Sequence, residues 1–296
     1  MADSAIVSGA AARPWFRGTG TPRALVIVNE AAGSVGPGAR DKLLAALAAH
    51  KIEAVSVVSD MDALKHADGA RADVIIVLGG DGTAAAAARM FSGGGAPLVL
   101  LPGGTLNVLP HALYGDLAWP EALDAALSRG RAVRLTGGKA NGKTFYVAAL
   151  FGAPTLLARV REAARAGRFA SMFARLRDAS RRTFSRRLAA KPANGFASRA
   201  EAVGVLCPAY SGGVESDTLE WVRLDVGRIT DLLRVGLRAV IGGWREDPTI
   251  DLSHTTRGTI SSIGLIPATL DGEPTSFAGR VRIAIVRQGP KVLTVD

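Results

Sequence analysis

Three glycine-rich segments hold the residues whose types and spacing could bind a phosphate: Gly79-Gly-Asp-Gly-Thr83, Pro102-Gly-Gly-Thr-Leu-Asn107 and Gly137-Gly-Lys-Ala-Asn-Gly-Lys-Thr144. Glycine lets the backbone approach a phosphate closely, and the free N–H groups at a helix start favour an anion. The third segment fits the pattern G-x-x-x-x-G-K-[ST], which cradles a phosphate only between a buried strand and a helix. Its flanks disagree with that context. Phe145-Tyr-Val147 reads as a strand, and Asn141-Gly142 is the preferred dipeptide of a two-residue hairpin, so the segment predicts a β-hairpin.

The segment at Gly79 has the right context, because it follows a strand pattern and opens a helical one. Its spacing also passes as a dinucleotide fingerprint, Gly80-x-Gly82-x-x-Ala85, which expects an acid about 20 residues further on. Between Asp81 and Asp116 the chain has no Asp or Glu, which argues against a Rossmann dehydrogenase. A turn that needs glycine explains Gly79, Gly80 and Gly82 but not the carboxylate of Asp81, which a metal ion sharing the phosphate site would explain. The Pro102 segment also lies just past a strand pattern. Two such loops at the C-terminal ends of neighbouring parallel strands would line one crevice, where open α/β sheets bind ligands.

The elements that must position these loops follow from short apolar runs and helical spacing. Ala24–Val28, Ile52–Val58, Asp73–Leu78 and Pro97–Leu101 read as strands, and the glycine-rich turn Ala32–Gly36 follows the first. Leu43, Leu44 and Leu47 mark a helix over Arg40–Ala49, and Asp62–His66 and Ala84–Met90 also read as helical. Alternating strand and helix implies a parallel sheet. From about Arg131 the texture changes to β-branched alternation, beginning with Val133-Arg-Leu135 and continuing through Val281–Ile285, with a basic helical insertion over 156–188 and a helix over Ile229–Ile241. The expected fold class is therefore α/β: a nucleotide-binding domain with a parallel sheet followed by a mainly β-sandwich domain. The expected divisions are a flexible tail 1–22, the α/β domain over 23–132, and the β domain over 133–285.

The chain of 296 residues is 48% hydrophobic and carries 36 Lys and Arg against 26 Asp and Glu, a formal +10 that favours anionic partners. Most of that charge is local. Residues 159–191 hold eleven Lys and Arg against Glu162 and Asp178, a net +9. Arg161, Arg168, Arg175 and Arg182 recur every seven residues, while Phe169, Met172, Phe173 and Leu176 have the spacing of an apolar helix face. Such an element suits an anionic membrane surface, and equally an ordinary helix with a solvated arginine face. A single cysteine, Cys207, excludes a disulfide framework and reads as a buried thiol. No apolar run approaches the roughly 18–20 residues of a membrane-spanning helix, and the first twenty residues lack the pattern of a secretory signal. The four histidines are dispersed and no Gly-x-Ser-x-Gly elbow occurs, so zinc and serine hydrolases have no motif support.

The order and separation of Asn29 with Gly33, Gly79–Thr83, Pro102–Asn107 and a late Leu270-Asp-Gly-Glu273 resemble the diacylglycerol kinase catalytic-domain family, which includes sphingosine, ceramide and bacterial lipid kinases. The resemblance runs from about Arg23 and implies a nucleotide-binding α/β domain, a β-sandwich domain, and a last strand over 286–296 that returns to the first. It implies an ATP-dependent lipid kinase using Mg2+, with Gly79, Gly80, Asp81, Gly82 and Thr83 on the ATP phosphates. Asn29, Ser59, Gly104, Thr105 and Asn107 would line the same site, and Glu273 would accept the proton of the lipid hydroxyl, with Asp81 also catalytic. A metal held by Asp217 and the carbonyls of Val214 and Leu219 is a further implication, as is a cytoplasmic enzyme lying on the inner membrane surface. The chain departs from the family at Glu30, Ala85, Ala86 and Val108, where members often carry Pro, Asn, Glu and Asp. Two other readings remain: an NAD kinase-like enzyme, which shares the Gly-Gly-Asp-Gly-Thr loop, and a catalytically inactive protein that binds anionic lipid or nucleic acid, which would use the arginines but leave the glycine loops unexplained.

Overall fold

The computed structural model describes residues 13–59, 72–152, 188–195, 197–211, 214, 216–224, 244–248 and 250–295. The helices expected at Asp62–His66 and Ile229–Ile241, and the basic insertion with Arg161, Arg168, Arg175 and Arg182, lie outside the described residues. The chain divides into two compact units, Met1–Arg134 with Pro290–Asp296, and Leu135–Gly289.

The first unit runs β1 (Arg23–Val28), α1 (Ala39–Ala49), β2 (Glu53–Val58), β3 (Val74–Gly79), α2 (Asp81–Met90), β4 (Leu98–Pro102), α3 (Val108–Tyr114), α4 (Trp119–Arg129) and β5 (Arg131–Arg134), and the last strand, β16 (Lys291–Thr294), joins it. The sheet order is β2-β1-β3-β4-β16-β5. β1 pairs in parallel with β2 and β3, and β3 with β4. The central strands need apolar residues on both faces, because helices cover a parallel sheet on both sides. Every residue of β3 is buried, as are Ala24–Val28 of β1. Helix α2 is nearly all alanine between Thr83 and Met90, which lets it lie close on the sheet, with Ala84, Ala85, Ala87 and Ala88 buried.

One expectation is corrected here. Val133, read from sequence as the start of the β half, lies in β5, which pairs antiparallel with β16 and closes the first sheet. Within the expected tail, Trp15 is buried, and its Nε1–H donates to the Leu127 carbonyl at 2.9 Å. An aromatic pair, Trp15-Phe16, is enough apolar surface to hold a segment down.

The second unit contains β6 (Gly137–Ala140), β7 (Lys143–Phe145), β8 (Ala148–Gly152), β9 (Leu188–Pro192), β10 (Ser198–Ala200), β11 (Ala202–Leu206), β12 (Leu219–Leu224), β13 (Ile250–Thr255), β14 (Arg257–Leu270) and β15 (Glu273–Val286). They form one continuous sheet with the path β13-β12-β11-β8-β14-β15-β6-β7, from which β9 and β10 branch at β14. Phe145 near one end and Trp221 near the other share a hydrophobic cluster with Phe151, Ile260, Phe277 and Val281. A flat sheet could not bring its ends to one core, so this one wraps around its own apolar face. Gly137–Thr144 forms the hairpin that its flanks predict: Ala140 pairs with Lys143 across Asn141 and Gly142, whose φ angles of 43° and 93° are those of a type I′ turn.

Candidate phosphate site and the residues around it

Three loops meet at the C-terminal ends of β1, β3 and β4, and backbone contacts join them. The Gly103 N–H donates to the Gly79 carbonyl at 2.9 Å, and the Ser34 N–H donates to the Gly103 carbonyl at 2.9 Å. The Ser34 hydroxyl donates to the Gly104 carbonyl at 2.9 Å. The loops approach so closely that only glycine fits at their crossing. A Cβ on Gly104 would stand 2.7 Å from the Gly80 Cα, and one on Gly103 would stand 3.0 Å from the Gly79 nitrogen.

The side chains singled out in the sequence brace this cradle. The Asn29 amide donates to the Thr83 hydroxyl at 3.0 Å, and its carbonyl oxygen accepts from the Ala31 N–H. Asn107, at φ 50°, closes its own loop: its Oδ1 accepts from the Gly104 N–H at 2.6 Å and its Nδ2 donates to the Gly104 carbonyl at 2.9 Å. Asp81 does not simply point into a phosphate site, as its sequence context suggests. Its Oδ1 accepts from the Leu109 N–H at 3.3 Å, so the carboxylate caps the first turn of α3 and ties the second loop to the third. Burial raises its pKa above the ordinary 3.8, an effect opposed by the N–H groups of Leu109, Val108 and Asn107.

What remains for a ligand is mostly backbone. Among the described residues no side chain caps the start of α2, and its first N–H groups have no partner within the helix. Gly82 has nothing within 4 Å of where its Cβ would stand, so the cradle is open there. Thr83 is buried under Gly79, whereas Thr105 is exposed on the third loop. Ser59 sits exposed just past β2, the strand beside β1. Ser34 is the brace that sequence reasoning missed. It stands next to Gly33 in the first loop, and nothing local reveals that its partners are Gly103 and Gly104.

In the second unit, Leu270 pairs with Glu273 across Asp271 and Gly272, whose φ angles of 49° and 85° make another type I′ turn. Asp271 does more than turn the chain. Its carboxylate accepts from the N–H groups of Tyr146, Val147 and Ala148 at 2.8–3.2 Å, and its own N–H donates to the Ala148 carbonyl at 2.8 Å. This clamp fixes the turn that places Glu273, exposed, at the head of β15. Cys207 is fully buried, and burial together with the nearby Asp271 charge pushes its thiol pKa well up.

At the expected metal site the Asp217 carboxylate is engaged by an arginine. Val214 and Leu219 are buried, while the exposed Asp217 carboxylate accepts from Arg287 Nε at 3.1 Å, and Arg287 Nη2 lies 3.4 Å from the Asp217 carbonyl. The pair is solvent-exposed on both sides. Among the described residues no three His, Cys, Asp or Glu cluster at ligating distance.

Comparison with known proteins shows what the part of the chain that builds this cradle is similar to. Residues 23–139 match the diacylglycerol kinase catalytic domain. The match spans the three loops, from Asn29 to Asn107. No curated protein sequence matches the chain. Among solved structures, a diacylglycerol kinase from Bacillus anthracis str. Sterne superposes with TM-score 0.65 at 16% identity, covering 92% of this chain and 97% of its own. Another structure from that organism, described provisionally as a diacylglycerol kinase, gives 0.68 at 19% identity with the same coverage. An NAD kinase from Archaeoglobus fulgidus, solved in complex with ATP, gives 0.55 at 13% identity, covering 91% of this chain and 92% of its own. The fold is thus the one shared by diacylglycerol kinases and NAD kinases. The family match supports a kinase-type phosphotransferase.

Proposed function

We propose that the protein is an ATP-dependent lipid kinase that transfers the γ-phosphoryl group to the hydroxyl of a diacylglycerol-like or sphingoid- or ceramide-like lipid. The observation that carries this reading is the glycine cradle at the ends of β1, β3 and β4, braced by side chains and open at Gly82 and the start of α2. Phosphoryl transfer asks the protein mainly for positioning and charge stabilisation, and backbone N–H groups with a helix N-terminus supply both. In the proposed step the lipid oxygen bonds to the γ-phosphorus as its proton passes to the Glu273 carboxylate, and the bond to the bridging oxygen of ADP breaks. The lipid hydroxyl is favoured over a nicotinamide nucleotide because the family match is to the diacylglycerol kinase domain.

The test is phosphoryl transfer from radiolabelled ATP and Mg2+ to diacylglycerol, ceramide, sphingosine, monoacylglycerol and NAD in parallel. A labelled lipid is the expected product. Label in NAD alone would replace this reading with the NAD kinase one. Glu273→Gln should cut turnover by about 10² to 10⁴, the usual worth of a general base, with ATP affinity unchanged because residues of the first unit build the phosphate cradle. Parallel loss of ATP binding and turnover would make Glu273 a structural or nucleotide-contacting residue.

A further inference from the structure

The solvent face of the β14–β15 region carries a set of cations that no stretch of sequence displays. From Phe277 to Ala284, β15 alternates, with Phe277, Val281 and Ile283 buried and Ala278, Arg280, Arg282 and Ala284 exposed. The strand register then assigns the neighbours of the exposed row. Arg280 lies opposite Ser261, Arg282 opposite Thr259, and Arg257 opposite Ala284. Lys191 of β9 pairs with Thr259 on the other side, Arg199 of β10 pairs with Ala189, itself opposite Ser261, and Lys139 of β6 pairs with Ala284. Directly opposed residues share a face. Six exposed cations among the described residues therefore stand on one surface of this sheet, and within β6, β9, β10, β14 and β15 no position on that surface holds an Asp or Glu.

An apolar projection stands among them. Between Ser261 and Leu265, β14 carries three residues where β15 carries only Gly279, and Gly264 and Gly279 take φ of 85° and 63° to allow it. The bulge leaves Ile263 94% exposed and Leu265 62% exposed. A lone exposed aliphatic residue needs no explanation. Two on a bulge amid cations form the pattern of a surface that meets anionic headgroups while an aliphatic tip enters the acyl boundary.

We propose that this face, Arg280 and Arg282 with Ile263 and Leu265 at its centre, docks the second unit onto an anionic phospholipid bilayer. A nucleic acid would use the cations and give Ile263 no partner, so the lipid surface accounts for more of the face. The basic segment before β9, with Arg168 and Arg175, is a separate candidate for the same role, and the variants distinguish them.

The experiment is co-sedimentation of the full chain, without ATP or acceptor, with vesicles of phosphatidylcholine alone or mixed with phosphatidylglycerol. Its failure would be a separate result from failure of the kinase reading. Binding is expected only to the anionic vesicles, weakening as salt rises. The pair R280Q/R282Q should lower partitioning about twenty-five-fold, at about fivefold for each cation near such a surface. Ile263→Ser should lower it about fivefold with the salt dependence retained. Circular dichroism should be unchanged in both, since all three side chains are exposed. Wild-type partitioning by both variants, or loss of binding only in R168Q/R175Q, would overturn the proposal. So would failure of the wild-type chain to bind anionic vesicles. Binding to duplex DNA that needs Arg280 and Arg282, with vesicle binding indifferent to Ile263, would make the partner a nucleic acid and overturn it too.

Discussion

Replacing Gly82 with Ala separates the stability of the cradle from its use. Gly82 lies in the first turn of α2, its φ is not positive, and a Cβ there would meet nothing within 4 Å. Alanine restricts the unfolded chain more than glycine and favours helix, so Gly82→Ala should stabilise the first unit by about 0.5–1 kcal/mol. A rise in Tm of about 1–4 °C, read by calorimetry, corresponds to that gain. If an ATP phosphate approaches the backbone at this position, the added methyl occupies its place. ATP affinity, measured by isothermal titration, should then fall at least tenfold in a protein that melts higher than the wild type. Gly104→Ala gives the contrast: its Cβ would press on the Gly80 Cα at 2.7 Å, so stability should fall by about 1–3 kcal/mol along with ATP binding. Wild-type ATP affinity in Gly82→Ala would refute the placement of the phosphate over the start of α2.

Asp81→Asn tests the carboxylate that joins two loops. Because burial raises the Asp81 pKa above 3.8, the folded state holds the proton more tightly than the unfolded chain, and stability falls as pH rises from 3.8 through the raised value. The asparagine should remove that slope and melt no lower at neutral pH, while turnover falls if the charge acts on the metal-bound phosphates. Wild-type turnover would leave Asp81 as a brace alone. Asp271→Ala strands the N–H groups of Tyr146, Val147 and Ala148 and puts alanine at φ 49°, which should cost about 2–4 kcal/mol in urea denaturation. Asp271→Asn should retain most of that, and equal losses in the two variants would show that the charge, not the geometry, holds the clamp.

Much of the molecule is written locally. The apolar runs at Ala24–Val28 and Val74–Leu78 become strands buried on both faces, and the glycine loops fall at their ends. Asn141-Gly142 forms its hairpin turn because only a few residue types tolerate two successive positive φ angles. A dipeptide or an apolar period needs no distant partner to be legible. Partnership across the chain is different, because it depends on register and packing set by every element between. Asn29 reaches Thr83, 54 positions on, Asp217 meets Arg287 70 positions on, and Asp271 holds the loop at Tyr146, 125 positions back. The sequence alone identified Asp81 as a carboxylate embedded in a glycine loop, and only the tertiary structure showed it capping the helix that begins at Val108. The same holds for the cations from Lys139 to Arg282, scattered along the chain and brought to one face because antiparallel pairing puts opposed residues on the same side of a sheet.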